Sequence, residues 1–172
     1  MLKFFGVLMI VGVCGYLGYC KQKQLSNRVE QLQQMIFFIE NLASEMDYGK
    51  EPMNIVLEKI SSKSCAGICS FLQSVSSDLS NTSGKTLSEI WQQKQIILSE
   101  STNLTNDDLL IIAEYGRGLG VSHTDDQLKK LANFSQKLEI QYKYAEDDYQ
   151  RLGKVFQTSG FCIGIVLALL LL

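Results

Sequence analysis

The chain has 172 residues, with 16 Lys+Arg against 18 Asp+Glu, a net charge of −2, and a single proline, Pro52. That length allows one ordinary domain. The charge balance gives no electrostatic reason to expect nucleic acid, which wants a clustered basic face, and the scarcity of proline and of β-branched clusters argues for helices over sheets. Of the five cysteines, Cys14, Cys20 and Cys162 lie in apolar ends, where they act as small hydrophobes. Only Cys65 and Cys69 are left for the polar middle, which fits a reduced, cytosol-facing domain better than a disulfide-stapled one.

Residues Phe4–Cys20 carry no charge, and neither do Val155–Leu172. Each run is about as long as the shortest stretch that spans a bilayer core, ~17–25 residues. The first run is expected to stay as an uncleaved helix in preference to a cleaved signal, because bulky residues (Val13 before Cys14, Tyr19 before Cys20) stand where a signal peptidase wants small ones. Gly6, Gly12, Gly15 and Gly18 dilute its hydrophobicity. Together with Gly160 and Gly164, which have helix-packing spacing, these glycines either mark contacts with each other or with a partner's helices, Gly12 and Gly15 being singled out for packing, or reflect the ordinary abundance of glycine there.

After the first run, apolar positions at Leu25, Val29, Leu32, Ile36, Ile39, Ala43 and Met46 step by four and three. This is the seam of a helix lying along another helix. It predicts a helix from the membrane to about Asp47, ended by Gly49 and Pro52. Pro52 suits a first helical turn leading Val56, Leu57 and Ile60. A second short stripe follows at Ile68, Phe71, Leu72, Val75 and Leu79, and Asn81–Lys85 reads as a loop.

Thr86 and Glu89 have capping-box spacing ahead of Ile90, Trp91 and Ile97. Thr105 with Asp108 starts a run through Leu109, Leu110, Ile112 and Ala113. Glu114–Gly120 (EYGRGLG) places three glycines in five residues, a tight interhelical corner. Arg117 there either bonds the preceding helix's free carbonyls or docks a partner. Leu128, Leu131, Ser135, Leu138, Tyr142, Ala145, Tyr149, Leu152 and Phe156 make the second long seam, and Thr124–Leu152 alone would span roughly 40 Å.

The basic residues Lys21, Lys23, Arg28, Lys143, Arg151 and Lys154 flank the polar middle, against Lys3 and the amino terminus outside. The positive-inside bias places the middle in the cytoplasm. The expected fold is therefore all-α: a transmembrane helix over 1–20, a cytoplasmic bundle of about six helices over 21–154, and a second transmembrane helix over 155–172.

No chemistry is expected. Cys65 and Cys69 lie one helical turn apart, but zinc needs four ligands, and His123 is the chain's single histidine, so no metal or cofactor is predicted. Glu146-Asp147-Asp148 lacks the alternation of a calcium loop and reads as a solvated face. No phosphate-binding glycine loop is present, so the chain is expected not to be an enzyme, and any nucleotide work belongs to a partner. A two-span signal transducer is the alternative from another class.

The layout, Met1-Leu2-Lys3 before the first run, Tyr48-Gly49 with Pro52, Tyr115-Gly116-Arg117-Gly118-Leu119-Gly120, Gln127 with Lys129-Lys130, and Gly153 and Gly160 near the last run resemble the stage III sporulation protein AB family of endospore-forming bacteria. The resemblance covers essentially the whole chain. It implies a component of a secretion-like channel in the mother-cell membrane around the forespore, with a soluble domain similar to the cytoplasmic helical domains of type II secretion inner-membrane platform F proteins. By that analogy the domain docks a cytoplasmic secretion-type ATPase (sporulation protein AA-like) beside other channel components, with homo-oligomerisation open. The motif residues carried over as partner-binding are Tyr48, Gly49, Pro52, Gly116, Arg117, Leu119, Gly120 and Gln127. His123 departs from the family's expected acidic helix cap, which leaves that helix start to Ser122 or Thr124.

Overall fold

The computed structural model describes residues 2–48, 53–61, 64, 66–81, 84–118 and 124–171. These form six α-helices, with no strand among the described residues: α1 (Leu2–Tyr48), α2 (Met53–Ser61), α3 (Ala66–Asn81), α4 (Leu87–Ser101), α5 (Asn106–Arg117) and α6 (Thr124–Leu171). The all-helical expectation holds. Gly49, Pro52, Cys65, Leu119, Gly120 and His123 lie outside the described residues.

Two capping boxes set where α4 and α5 begin. At α4 the Glu89 backbone N–H donates to Thr86 Oγ1 (3.3 Å) while Glu89 Oε2 accepts from the Thr86 N–H (2.9 Å). At α5 the Asp108 N–H donates to Thr105 Oγ1 (3.4 Å), and Asp108 Oδ2 accepts from the Thr105 N–H (2.9 Å). Each box satisfies two backbone donors that a helix start leaves free. Asp108 is fully buried, and its side chain meets the Thr105 backbone there. Gly84, between α3 and α4, has φ +97°, a conformation glycine adopts without Cβ strain.

The chain divides into two compact units, one made of Met1–Val29 with Lys143–Leu172 and the other of Glu30–Tyr142. In the second unit α2, α3, α4 and α5 pack each on the next. Its core gathers Leu32, Met35, Phe38, Ile39 and Leu42 from α1, Leu57 from α2, Phe71 and Leu72 from α3, Ile90, Trp91 and Leu98 from α4, and Leu131 and Leu138 from α6. Trp91 is the hub: its ring meets Phe71 edge-on at 4.8 Å, Tyr115 edge-on at 6.0 Å and Phe38 stacked at 6.2 Å.

The structure corrects the predicted face of α1. The α1 seam is turned from the predicted line: Met35, Phe38 and Leu42 are buried, whereas Ile36 and Ala43 are only half-buried. Ile36-Phe37-Phe38-Ile39 is apolar all round, so periodicity alone does not choose a face, and the Trp91 hub does. In α5, Leu110 is 63% exposed while Ile112 is fully buried.

In the first unit α1 and α6 run antiparallel. A Cβ added at Gly18 would lie 2.5 Å from the Phe156 carbonyl oxygen and 3.4 Å from Gly160 Cα. One added at Gly160 would lie 2.7 Å from the Cys14 carbonyl, and one at Gly164 3.0 Å from Val11 Cα. The backbones meet at a distance only small residues allow. Gly15 is buried; Gly12 has nothing within 4 Å of its would-be Cβ, and Gly18 takes the contact position the sequence reading did not single out. Leu131, Leu138 and Ala145 of the predicted α6 seam are buried, but Leu152 and Phe156 point outward, and beyond Ala145 the buried line runs through Gly153 and Gly164. Arg28, 8% exposed, pairs with Asp148 at 3.7 Å and so links α1 to α6, whereas Arg151 pairs with Asp147 at 3.5 Å on the exposed face of α6 itself.

α6 contains an 18-residue window of mean hydropathy 1.6 and is, among the described residues, the one helix long and apolar enough to cross a membrane by length and composition.

Candidate functional site

The strongest local geometry surrounds the end of α5. Gly116 and Arg117 belong to the helix itself, and the chain leaves it at Gly118, whose N–H donates to the Tyr115 carbonyl at 2.9 Å with φ −89°. The glycine-rich stretch is therefore not a corner made by positive φ at these positions. Gly116 is needed for space. A Cβ there would fall inside the Trp91 indole, 2.5 Å from Nε1. That same Nε1–H donates to the Ile112 carbonyl at 3.2 Å, so the indole is both packed and satisfied one turn earlier on α5.

Tyr115 stacks on Phe134 of α6 at 4.3 Å with rings almost parallel. Burial holds its phenol well above the usual tyrosine range, so it stays neutral. Beside this pair an open groove of about 600 Å³ runs between α5 and α6, lined among others by Ile111, Glu114, Gly118, Lys130, Lys137 and Ile140. Lys137 donates to Glu114 Oε2 at 2.8 Å across it, and that ammonium holds the Glu114 carboxyl below the ordinary carboxylate range. Arg117 is exposed on the last turn of α5, next to the Gly118 that lines the groove.

Of the motif residues, Gly116 and Arg117 are thus brought to one helix end beside a groove. Gln127, half-buried, lies on the first turn of α6. Tyr48 is the last residue of α1. Gly49, Pro52, Leu119 and Gly120 lie outside the described residues. The sequence reading did not find Phe134, Lys137 or the indole-to-glycine contact. Phe134 sits one position off the predicted α6 seam, and a glycine's neighbour across a bundle leaves no mark in local spacing.

The geometry at this helix end is that of a surface beside a groove. Among the described residues no three His, Cys, Asp or Glu side chains come together in a way that could hold a metal. Cys69 is a half-buried free thiol on α3.

Comparison with known proteins matches residues 3–172 to a family model described as stage III sporulation protein AB. A protein named Stage III sporulation protein AB from Bacillus subtilis (strain 168) is 26% identical over 172 residues, covering 100% of both chains. A solved structure named Stage III sporulation protein AB (SpoIIIAB) superposes with a TM-score of 0.67 at 19% identity, covering 72% of this chain and 96% of that one. At that identity the superposition speaks to the fold.

Proposed function

Because the chain belongs to the stage III sporulation protein AB family, we propose that it is a structural, non-enzymatic membrane component of a sporulation channel, whose helical domain docks a cytoplasmic secretion-type ATPase. The apolar segments 1–20 and 155–172 anchor it in the mother-cell membrane around the forespore, and the domain over 21–154 stands on the cytoplasmic side. The hydropathy of α6 and the basic flanks of the polar middle support this arrangement.

The observation that carries the docking reading is the end of α5. Arg117 is exposed on a helix whose position is set by the Gly116–Trp91 contact, beside an open groove. An arginine on a rigid element has little ordering entropy left to lose on binding and five donors to offer a carboxylate surface. Arg117→Glu should therefore weaken ATPase binding by about tenfold or more, ~1.4 kcal/mol, while circular dichroism and the Trp91 emission spectrum stay unchanged. A folded Arg117→Glu protein that binds the ATPase with wild-type affinity would remove Arg117 from the interface. Failure of the wild-type chain to bind any such ATPase would end the docking reading.

A further inference from the structure

Where α1 and α6 leave their uncharged segments, the first unit holds a cleft of about 410 Å³ lined by Gln22, Tyr149, Gln150 and Lys154. Gln22 stands two residues beyond the uncharged run that ends at Cys20, and Lys154 is the last charge before the run that begins at Val155. The cleft is therefore at the level where each apolar segment meets polar chain.

Its lining is largely apolar side-chain surface, with four polar groups able to donate: one ammonium, two carboxamides and one phenol, and no carboxylate among these four residues. Of the acidic run Glu146–Asp148 on the preceding turn, Asp148 faces Arg28 at 3.7 Å and Asp147 faces Arg151 at 3.5 Å. Gly153 stands between two of the lining residues. A Cβ there would lie 3.3 Å from the Tyr149 ring and 3.5 Å from Gln22 Cγ, so a larger side chain would occupy the cleft. Exposed Lys21 and Lys23 add positive potential on the neighbouring turn of α1.

We propose that this cleft binds the phosphodiester of an anionic phospholipid headgroup. The proposal rests on the reading that 1–20 and 155–172 cross the membrane, which sets the cleft at headgroup depth. There an ammonium and amide donors meet phosphate oxygens at the high local concentration of the leaflet, and the negative surface potential adds to the attraction. A bound lipid would tie the first turns beyond the two apolar segments to each other and to the bilayer surface.

The test uses the full chain in neutral detergent. Its thermal unfolding is followed in micelles doped with phosphatidylglycerol or with phosphatidylcholine at equal mole fraction, and separately with inorganic phosphate. A ligand that binds only the folded state raises Tm. Phosphatidylglycerol is expected to raise Tm by several degrees over phosphatidylcholine. Lys154→Gln and Gly153→Leu should each lose that increment, whereas the Lys21→Gln/Lys23→Gln pair should keep most of it. Equal effects of the two lipids would overturn the proposal. So would a Lys21→Gln/Lys23→Gln loss as large as that of Lys154→Gln, which would mean diffuse attraction without a site. An equal Tm rise with inorganic phosphate alone would overturn the lipid assignment. Flotation with phosphatidylcholine vesicles separates the two readings: a chain that does not float loses its membrane anchor, and a chain that floats with no lipid preference loses only the cleft.

Discussion

A methyl group added at Gly116 would overlap the Trp91 indole, whose own N–H is already committed to the Ile112 carbonyl. Either α5 shifts away from α4 or the indole leaves its place among Phe38, Phe71 and Tyr115. Gly116→Ala should therefore destabilise the chain by ~1–3 kcal/mol despite its gain in helix propensity. The change should be visible as lower Tm with altered Trp91 emission; an unchanged spectrum and Tm would mean the helices do not meet there. Nearby, the Lys137 ammonium keeps Glu114 ionised below the ordinary carboxylate range. The folded pKa lies below the unfolded one, so the pair's contribution is present above the ordinary carboxylate pKa and is lost as pH falls through the lowered value. In an NMR titration of the folded chain, the Glu114 carboxyl should titrate at lower pH than in Lys137→Met. Identical midpoints would show that the two groups do not meet in solution.

Helix starts were legible in the sequence because their chemistry is local. Thr86 with Glu89 and Thr105 with Asp108 carry both partners of each box within four residues, and both boxes close. The faces of the long helices were less legible. Leu32 and Ile39 on the predicted α1 line are buried, but so are Arg28 and Gln31, which spacing would assign to solvent. They are tolerated inside because each has a distant partner: Asp148 for Arg28, and the Asn103 backbone N–H, which donates to Gln31 Oε1 at 2.8 Å. Partners separated by 72 residues leave no periodic trace. The rotated seam makes a sharp comparison. Phe38→Ala should cost ~3–5 kcal/mol, whereas Phe37→Ala, at a side chain 48% exposed, should stay within about 0.5 kcal/mol. The reverse order in thermal unfolding would restore the line predicted from spacing.

At the scale of the whole chain, α1 and α6 are 47 and 48 residues long, about 70 Å each at 1.5 Å per residue. Both contribute to both compact units: the first half of α1 packs on the last half of α6 through Gly18, Gly160 and Gly164, while the last half of α1 and the first half of α6 give buried residues to the unit that holds α2–α5. The organisation into uncharged ends and a polar middle was readable directly from charge placement. The glycine that faces its partner, Gly18 instead of Gly12, was not, because four glycines at short intervals fit several faces equally. The proposed role depends on which side of the membrane receives the helical domain. A single cysteine at exposed Gln92, introduced after replacing the five native ones, reports this when cells expressing the full chain are treated with a membrane-impermeant maleimide. No labelling is expected in intact cells, and full labelling after permeabilisation. Labelling of intact cells would place the domain on the outer face and contradict its docking of a cytoplasmic ATPase.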